Sequence, residues 1–362
     1  MEGSTSSYDY FYSFSTEAPE ESCPTKELPY KSIVLPVLYV TVFLVGIVGN
    51  ALLIGALIFK QRIWRLIDIF IVNLAISDFI FLITLPFWVD KEIYSGLWRS
   101  GSFVCKGSSY IISVNMYCSI FLLTCMSCDR YLAIMHPSAA RKIRTRLYSI
   151  ILCVGVWILS CLLGLPTLLS RELRRFDDNP YCVDKDTASS QRIESLLLVV
   201  FAFFVPLFCI LTFYCSITKK LCVHYQKSGK HDKKLRKSIR IVFIVVIAFV
   251  FSWAPFNVFK FVALTFGIQN VKPPFCLPYK IAYLGMELGG PLAFANSCTN
   301  PFIYYYFDDH IRRAMLRCIF PCIKTSSLRT SSDTSDSHLS YTLTAFAHGE
   351  DASRKRRRSV SF

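Results

Sequence analysis

Seven long apolar stretches, separated by polar links, organise the chain. Five of them contain no charged residue (33–59, 107–128, 147–169, 195–218 and 241–259), and two contain a single acid (69–89 and 281–307). Each approaches or exceeds the roughly 20 residues with which a helix crosses the hydrocarbon core of a bilayer. The pattern predicts an all-α membrane protein, a bundle of seven transmembrane helices, which we call spans 1 to 7 in chain order.

Composition supports this interpretation. The chain is 53% apolar and only 18% charged, with a mean hydropathy of +0.42. A soluble domain of 362 residues cannot bury that much apolar surface.

The positive charges predict the orientation of the bundle. Residues 1–31 contain six acids and two lysines, whereas the link 219–240 contains nine bases and one acid. Because Lys and Arg concentrate in cytoplasmic links, we expect an extracellular amino terminus and a cytosolic carboxyl terminus. The net charge of +15 is divided among membrane-flanking links, which argues against a nucleic-acid partner.

The chain divides by composition into four regions. Residues 1–32 form an acidic extracellular segment, and residues 33–307 form the seven-span bundle. Residues 308–322 predict a short amphipathic eighth helix. Residues 323–362, rich in Ser, Thr and Asp, predict a disordered cytosolic tail.

Several polar side chains lie inside the apolar stretches, where an unsatisfied polar group is unfavourable. They offer one carboxylate and several oxygen atoms at similar membrane depth: Asp78, Asn115, Ser119, Asn296 and Ser297. One interpretation is a hydrogen-bond network that holds the helices together. The interpretation that we prefer is a hydrated cation site, most simply for sodium, because hard cations favour such oxygens. No other cofactor is expected.

Prolines inside the spans predict bends. Five of them interrupt apolar stretches: Pro86, Pro166, Pro206, Pro255 and Pro301. Trp253 precedes Pro255 by two residues, and Asn300 and Tyr304 flank Pro301. Bends beside large or polar side chains suit a bundle with two conformations.

At the inner end of span 3 stands Asp129-Arg130-Tyr131, and Asn300-Pro301-Phe302-Ile303-Tyr304 closes span 7. With Asp78 in span 2 and Trp157 in span 4, this combination resembles the rhodopsin-like (class A) G-protein-coupled receptors. The resemblance extends from residue 33 to about residue 320. It implies a receptor for an extracellular ligand that signals through a heterotrimeric G protein, and not an enzyme.

The resemblance also implies roles for particular residues. Asp129 would hold Arg130 in the inactive state, and Tyr214 and Tyr304 would support the active one. Trp253 would relay the occupancy of the ligand pocket to span 6. Cys105 and Cys182 would form a disulfide bond on the outer face. A transporter or channel is the remaining alternative, but the sequence has no internal repeat.

Within that superfamily, other features resemble the chemokine and chemoattractant-peptide receptors. These are Trp88 at the end of span 2, a second potential disulfide between Cys23 and Cys276, and sulfation candidates in the acidic amino terminus at Tyr8, Tyr10 and Tyr12. Chemokine receptors usually have a glutamate where this chain has Gly290. A chemoattractant peptide or small protein is therefore expected as the ligand, with a conventional chemokine as the alternative.

The predicted outer pocket lacks an acid in span 3, since Ile112 lies at that level, so a small amine ligand is not expected. Aromatic and charged residues of both signs suit an inserted peptide terminus. The candidate ligand-binding residues are Tyr39, Trp88, Tyr110, Arg171, Lys260, Tyr283 and Glu287. By resemblance, the intracellular partners would be an inhibitory-type G protein and arrestin, in leukocyte migration.

The carboxyl-terminal region carries candidate modification sites. Cys318 and Cys322 follow the eighth helix and are candidates for palmitoylation, with unmodified surface thiols as the alternative. Ser361, three residues after Arg358, resembles a carboxyl-terminal 14-3-3 binding site once phosphorylated. A basic tail attracted to anionic membrane lipid is the alternative to this 14-3-3 site.

Overall fold

A computed structural model of the protein describes residues 31–59, 65–176, 178–185, 189–228, 233–268 and 276–319. It describes only the backbone at residues 31–32, 189–190, 221, 224–228, 233–238, 266–268, 276–280 and 283.

Long helices occur at all seven predicted spans. Span 1 is α1 (Lys31–Ile58), span 2 comprises α2 (Leu66–Leu82) and α3 (Leu85–Ile93), and span 3 is α4 (Gly101–Met135). A short loop helix, α5 (Pro137–Ile143), leads to span 4, which is α6 (Arg146–Ser170). Span 5 comprises α7 (Ser189–Val199), a π-helical turn (Val200–Phe204) and α8 (Val205–Ser228). Spans 6 and 7 are α9 (Lys233–Ile268) and α10 (Cys276–Phe307), and α11 (Asp309–Ile319) is the predicted eighth helix.

The prediction of a helical membrane bundle is confirmed. Spans 1 to 6 are each long and apolar enough, within the described residues, to cross a bilayer. The sequence analysis did not predict a two-stranded antiparallel hairpin between spans 4 and 5, formed by β1 (Arg171–Phe176) and β2 (Asn179–Asp184).

Two of the prolines account for irregular helices. Span 2 breaks at Ile83 and Thr84, and α3 begins with Pro86 in its first turn. In span 5 the amide of Val205 bonds to Val200 O, five residues back, immediately before Pro206. Because proline has no amide hydrogen, the helix cannot keep its regular bonding there, and the local geometry changes.

The bundle has its core around span 3, which contacts spans 2, 4, 5 and 6. An outer aromatic cluster joins spans 1, 2 and 7 to the first outer loop, with Trp88 packed edge-on against Trp98 at 5.4 Å between ring centroids. Apolar side chains on the outward faces of spans 1, 4 and 5 are exposed, as at Val48, Ile158 and Phe208. These faces would contact lipid.

Spans 6 and 7 approach each other closely at two glycines of span 7. A Cβ atom at Gly285 would lie 2.2 Å from the ring of Phe259, and one at Gly289 would lie 2.9 Å from the backbone nitrogen of Phe256. Glycines four residues apart let two transmembrane helices come into backbone contact.

The eighth helix begins at a charged junction. Asp308 Oδ1 accepts hydrogen bonds from the backbone amides of His310 (2.9 Å) and Ile311 (3.3 Å), which caps α11. Its Oδ2 accepts a 2.8 Å bond from Arg65, which also binds Asp68 at the start of span 2. The compact unit that contains the bundle ends at Met315, and residues 316–319 belong to a second unit in which Cys318 is exposed.

Candidate functional site

The inner end of span 3 carries the Asp129-Arg130 pair. Arg130 Nη1 lies 3.8 Å from Asp129 Oδ2, within ion-pair range but beyond hydrogen-bond distance. Asp129 instead accepts two hydrogen bonds from Arg144, from Nε to Oδ1 at 2.6 Å and from Nη2 to Oδ2 at 2.9 Å. Beside the expected ion pair with Arg130, the structure thus shows a second and shorter contact of Asp129, with Arg144, which the sequence analysis did not predict. A guanidinium binds a carboxylate most strongly in this geometry, in which two of its nitrogens each donate a hydrogen bond to a different carboxylate oxygen.

Three polar atoms near this end of the bundle are buried without a hydrogen-bond partner in the described part of the chain. They are Arg130 Nε, the Tyr214 hydroxyl and the Tyr304 hydroxyl. Buried polar atoms without partners are unfavourable, and they mark places where water or a second conformation satisfies them. Tyr131 faces elsewhere, packing on Phe213 of span 5 at 5.1 Å.

The predicted polar cluster assembles around Asp78, which is fully buried. Its Oδ1 accepts hydrogen bonds from Asn115 (3.0 Å) and Ser297 (2.8 Å), and its Oδ2 accepts one from Asn300 (2.8 Å). The sequence analysis assigned Asn300 to the proline bend of span 7. The structure shows that this side chain also belongs to the Asp78 cluster.

Buried oxygen atoms without hydrogen-bond partners remain on Asn300 and on Ser119 and Asn296, the two predicted members of the cluster that form no hydrogen bond with Asp78 in the described structure. These atoms are Ser119 Oγ, Asn296 Oδ1 and Asn300 Oδ1. In the same part of the chain, no lysine, arginine or histidine forms an ion pair with Asp78. A buried carboxylate without a cationic partner is costly, so this set of oxygens fits a bound cation.

Trp253 of span 6 lies at one side of a cavity of about 520 Å³ in the outer half of the bundle. Asn257, one turn away, donates to Trp253 O at 3.0 Å and to Met116 Sδ of span 3 at 3.7 Å. This contact connects spans 3 and 6 at the cavity wall, and the sequence analysis did not find it. The sequence signal that could have indicated this contact is Asn257 itself, a polar residue inside the apolar stretch 241–259.

Charged residues of both signs line the cavity, namely Arg171, Asp184, Lys185, Glu194 and Lys260. Arg171 Nε lies 3.2 Å from Asp184 Oδ1, an ion pair across the base of the hairpin. Lys260, in contrast, has no hydrogen bond or ion pair with any residue that the structure describes. The cavity therefore presents an ammonium group that a ligand can reach.

The other candidate ligand residues divide into two groups. Trp88 lines the cavity, as do Arg171 and Lys260. Tyr39 packs on Phe294 at 5.4 Å, and the Tyr110 hydroxyl donates to Cys161 O of span 4 at 3.2 Å, because Gly164 leaves room for its ring.

Neither Tyr39 nor Tyr110 lies on the cavity lining, and neither does Glu287, which is half-buried on span 7. The Tyr283 side chain lies outside the described residues. Gly290, the position where chemokine receptors usually have glutamate, is on the lining.

The predicted Cys105–Cys182 disulfide is present and joins span 3 to strand β2. The hairpin is thereby held over the outer half of span 3. The other candidate pair, Cys23 and Cys276, lies outside the described side chains. So do Cys322, Ser361 and the three candidate sulfation tyrosines.

Comparison with known proteins agrees with this geometry. Residues 49–304 match the family model described as 7 transmembrane receptor (rhodopsin family). The chain is 55% identical over 353 residues to the G-protein coupled receptor 15 of Mus musculus, with 98% of this chain and 97% of that protein covered.

Two more distant relatives are each 34% identical, with 87% of this chain and 88% of the relative covered. They are the Type-1 angiotensin II receptor A of Xenopus laevis and the Apelin receptor of Xenopus tropicalis. The chain belongs to the rhodopsin family of seven-transmembrane receptors, the class A G-protein-coupled receptors. Proteins of this family are receptors and not enzymes, and the transporter alternative is set aside.

Proposed function

We propose that this receptor binds a secreted chemoattractant peptide or small protein through the outer cavity. The observation that carries this proposal is the mixed charge of the cavity. The Lys260 ammonium, which forms no hydrogen bond or ion pair among the described residues, and the Arg171–Asp184 pair face one space. A peptide terminus with an anionic group would complement Lys260. Two relatives are named for angiotensin II and apelin, both peptides, which supports a ligand of this class.

On the inner side, the proposed partners are an inhibitory-type heterotrimeric G protein and arrestin. The receptor would act at the plasma membrane with its amino terminus outside, in leukocyte migration. The basic links on the predicted cytosolic side support this orientation. Arg130 is the residue proposed to contact the G protein when the bundle opens, with Tyr214 and Tyr304 at its side.

A conventional chemokine is the alternative ligand. Gly290 argues against it, because the cavity wall lacks a side chain where an acid would contact a chemokine's basic amino terminus. A direct comparison separates the two ligand classes. Cells expressing the receptor are exposed in parallel to a panel of secreted basic peptides and a panel of chemokines, and suppression of cyclic AMP is measured. Activity confined to chemokines would refute the proposed ligand class.

Nucleotide exchange tests the coupling. Purified receptor in lipid is mixed with heterotrimers of the inhibitory class and of two other classes, and GTP loading is followed. We expect acceleration only with the inhibitory class, increased further by an active peptide. Acceleration of another class alone would contradict this coupling.

We also propose that the Asp78 cluster binds a sodium ion that stabilises the inactive conformation. The residues that would hold the ion are Asp78, Ser119 and Asn296. The Asp78 carboxylate is buried, and Ser119 Oγ and Asn296 Oδ1 are buried without a hydrogen-bond partner in the described structure. A sodium ion would supply the missing positive charge. Replacing sodium by a large organic cation should raise agonist affinity in membranes, and Asp78→Asn should abolish that response. Unchanged affinity in the unmodified receptor would contradict the site.

Modification of the terminal segments remains a proposal from the sequence. Phosphorylated Ser361 would recruit 14-3-3 and mask the neighbouring basic run, which resembles an endoplasmic-reticulum retention signal, so that surface export increases. Palmitate on Cys318 and Cys322 would anchor the end of the eighth helix, and the exposure of Cys318 is consistent with this. Ser361→Ala should lower the surface level. An unchanged level would contradict recruitment and leave lipid attraction of the basic tail as the better explanation.

A further inference from the structure

Arg144 lies in the short link between the loop helix α5 and span 4, two residues before α6 begins. Its guanidinium reaches back to the inner end of span 3 and forms both of its hydrogen bonds with the Asp129 carboxylate. Side chains that make paired bonds of this kind are held in one orientation, because both partners are planar. Asp129 and Arg144 are each largely buried, with side-chain exposures of 12% and 26%, so the pair is only partly screened by water.

Arg130 is the weaker competitor for the same carboxylate. Its nearest nitrogen is 3.8 Å from Asp129, and its Nε has no hydrogen-bond partner among the described residues. Each Asp129 oxygen already accepts a short bond from Arg144. Arg130 is therefore attracted electrostatically but is not held by directional bonds.

From this geometry we propose that Arg144 is a positioning residue for G-protein activation, which controls how tightly Asp129 holds Arg130. While Arg144 occupies the carboxylate, the restraint on Arg130 is weak. If the bond between Arg144 and Asp129 breaks, Asp129 becomes free to bind Arg130 directly and the inactive conformation is strengthened. The inference rests on the proposed role of Arg130 in contacting the G protein.

The position of Arg144 connects this restraint to the second inner loop. Helix α5 precedes it directly, and Arg141, Lys142 and Ile143 on that helix are exposed. On the other side, Thr145 caps span 4 by accepting from the amide of Tyr148 at 3.2 Å. A partner that contacts α5 would thus act on the residue that sets the charge balance at Arg130.

The test is basal GTP loading by full-length receptor in lipid with an excess of G protein, without agonist, so that no ligand needs to be known. Arg144→Gln should lower basal exchange about threefold to tenfold, a size typical of coupling between neighbouring charged side chains. Asp129→Asn should raise it, because Arg130 loses the carboxylate with which it forms an ion pair in the described part of the chain. The double variant should match Asp129→Asn alone, since Arg144 acts through Asp129.

Two further variants protect the interpretation against misfolding. Arg144→Lys keeps the charge but cannot form the paired bonds, so it should give a basal rate between those of the unmodified receptor and Arg144→Gln. Arg99→Gln removes an exposed base from the first outer loop, on the side of the bundle away from the G protein, and should leave the rate unchanged. All rates are divided by the amount of folded receptor, measured by thermal unfolding.

The outcomes separate the inference from the proposal beneath it. If Asp129→Asn fails to raise exchange, the proposed role of Arg130 is wrong and the inference falls with it. If Asp129→Asn raises exchange but Arg144→Gln leaves it unchanged or increases it, only the inference is wrong. An equal effect of Arg144→Gln in the presence and absence of Asp129 would likewise overturn it.

Discussion

Replacement of Gly285 by alanine tests how closely spans 6 and 7 are packed. The added Cβ would lie 2.2, 2.3 and 2.5 Å from three ring atoms of Phe259. Carbon atoms are in favourable contact at about 3.5–4.0 Å, so the shortest approach is more than about 1 Å too small. The atoms concerned include Phe259 Cγ, at the root of the ring, which moves only if the helix or the χ1 angle changes.

Two opposing terms determine the magnitude. Overpacking of a well-filled site destabilises by about 1–3 kcal/mol. Alanine stabilises a helix relative to glycine by about 0.8–1.0 kcal/mol. The steric term is at the upper end here because the obstructing atoms cannot swing away, which gives a net loss of about 1–2 kcal/mol. For a bundle of this size that corresponds to a fall of about 2–6 °C in the unfolding midpoint.

The matched control is Gly155→Ala in span 4. A Cβ at Gly155 has no atom within 4 Å, so only the helix-propensity term applies and the midpoint should stay or rise. Both variants and the unmodified receptor are heated in the same detergent at one scan rate, because unfolding of such proteins is commonly irreversible. Equal midpoints for the two alanine variants would refute the close packing of spans 6 and 7 at Gly285.

Three further predictions concern the site and its supports. Lys260→Ala should reduce the potency of an active peptide about tenfold or more in the cyclic AMP assay. Lys260→Arg keeps the positive charge and should retain most of that potency. An equal loss of potency in both variants would indicate that Lys260 has a packing role instead. Asp308→Ala removes the cap of α11 and the bond to Arg65, and it should destabilise the receptor by about 1 kcal/mol. The control Asp309→Ala loses an exposed ion pair with Arg312 and should change the unfolding midpoint little. A larger effect of Asp309→Ala than of Asp308→Ala would contradict the proposed cap. Cys105→Ser releases the hairpin from span 3 and should lower the amount of folded receptor at the cell surface. The control Cys215→Ser changes an exposed free cysteine and should leave that amount unchanged. Comparable surface levels for the two variants would show that the hairpin does not need the disulfide.

The elements of the bundle follow from local sequence because a bilayer leaves the backbone few alternatives. An apolar stretch in hydrocarbon must satisfy its own amides and carbonyls, and a helix does so within one segment. The same reasoning identified Asp78, Asn115 and Ser297 as polar groups at one depth, and the structure joins them by hydrogen bonds of 2.8–3.0 Å. The disulfide from Cys105 to Cys182 came from family resemblance rather than from any local rule.

Contacts between distant parts of the chain required the folded bundle. Arg144 and Asp129 are 15 residues apart across a loop whose path no periodicity predicts, and Arg65 and Asp308 are separated by 243 residues. The direction of a side chain also depends on its neighbours. Tyr110 turns away from the cavity because Gly164 on span 4 offers its ring a space.

The sequence alone therefore determined seven spans, their predicted orientation and the family to which the chain belongs, because apolar length, charge asymmetry and short motifs are properties of single segments. Only the tertiary structure decided which groups compete for Asp129, which charged side chains line the outer cavity, and how closely spans 6 and 7 approach at Gly285. These depend on distances between helices, and a few tenths of an ångström separate a hydrogen bond from a mere electrostatic attraction.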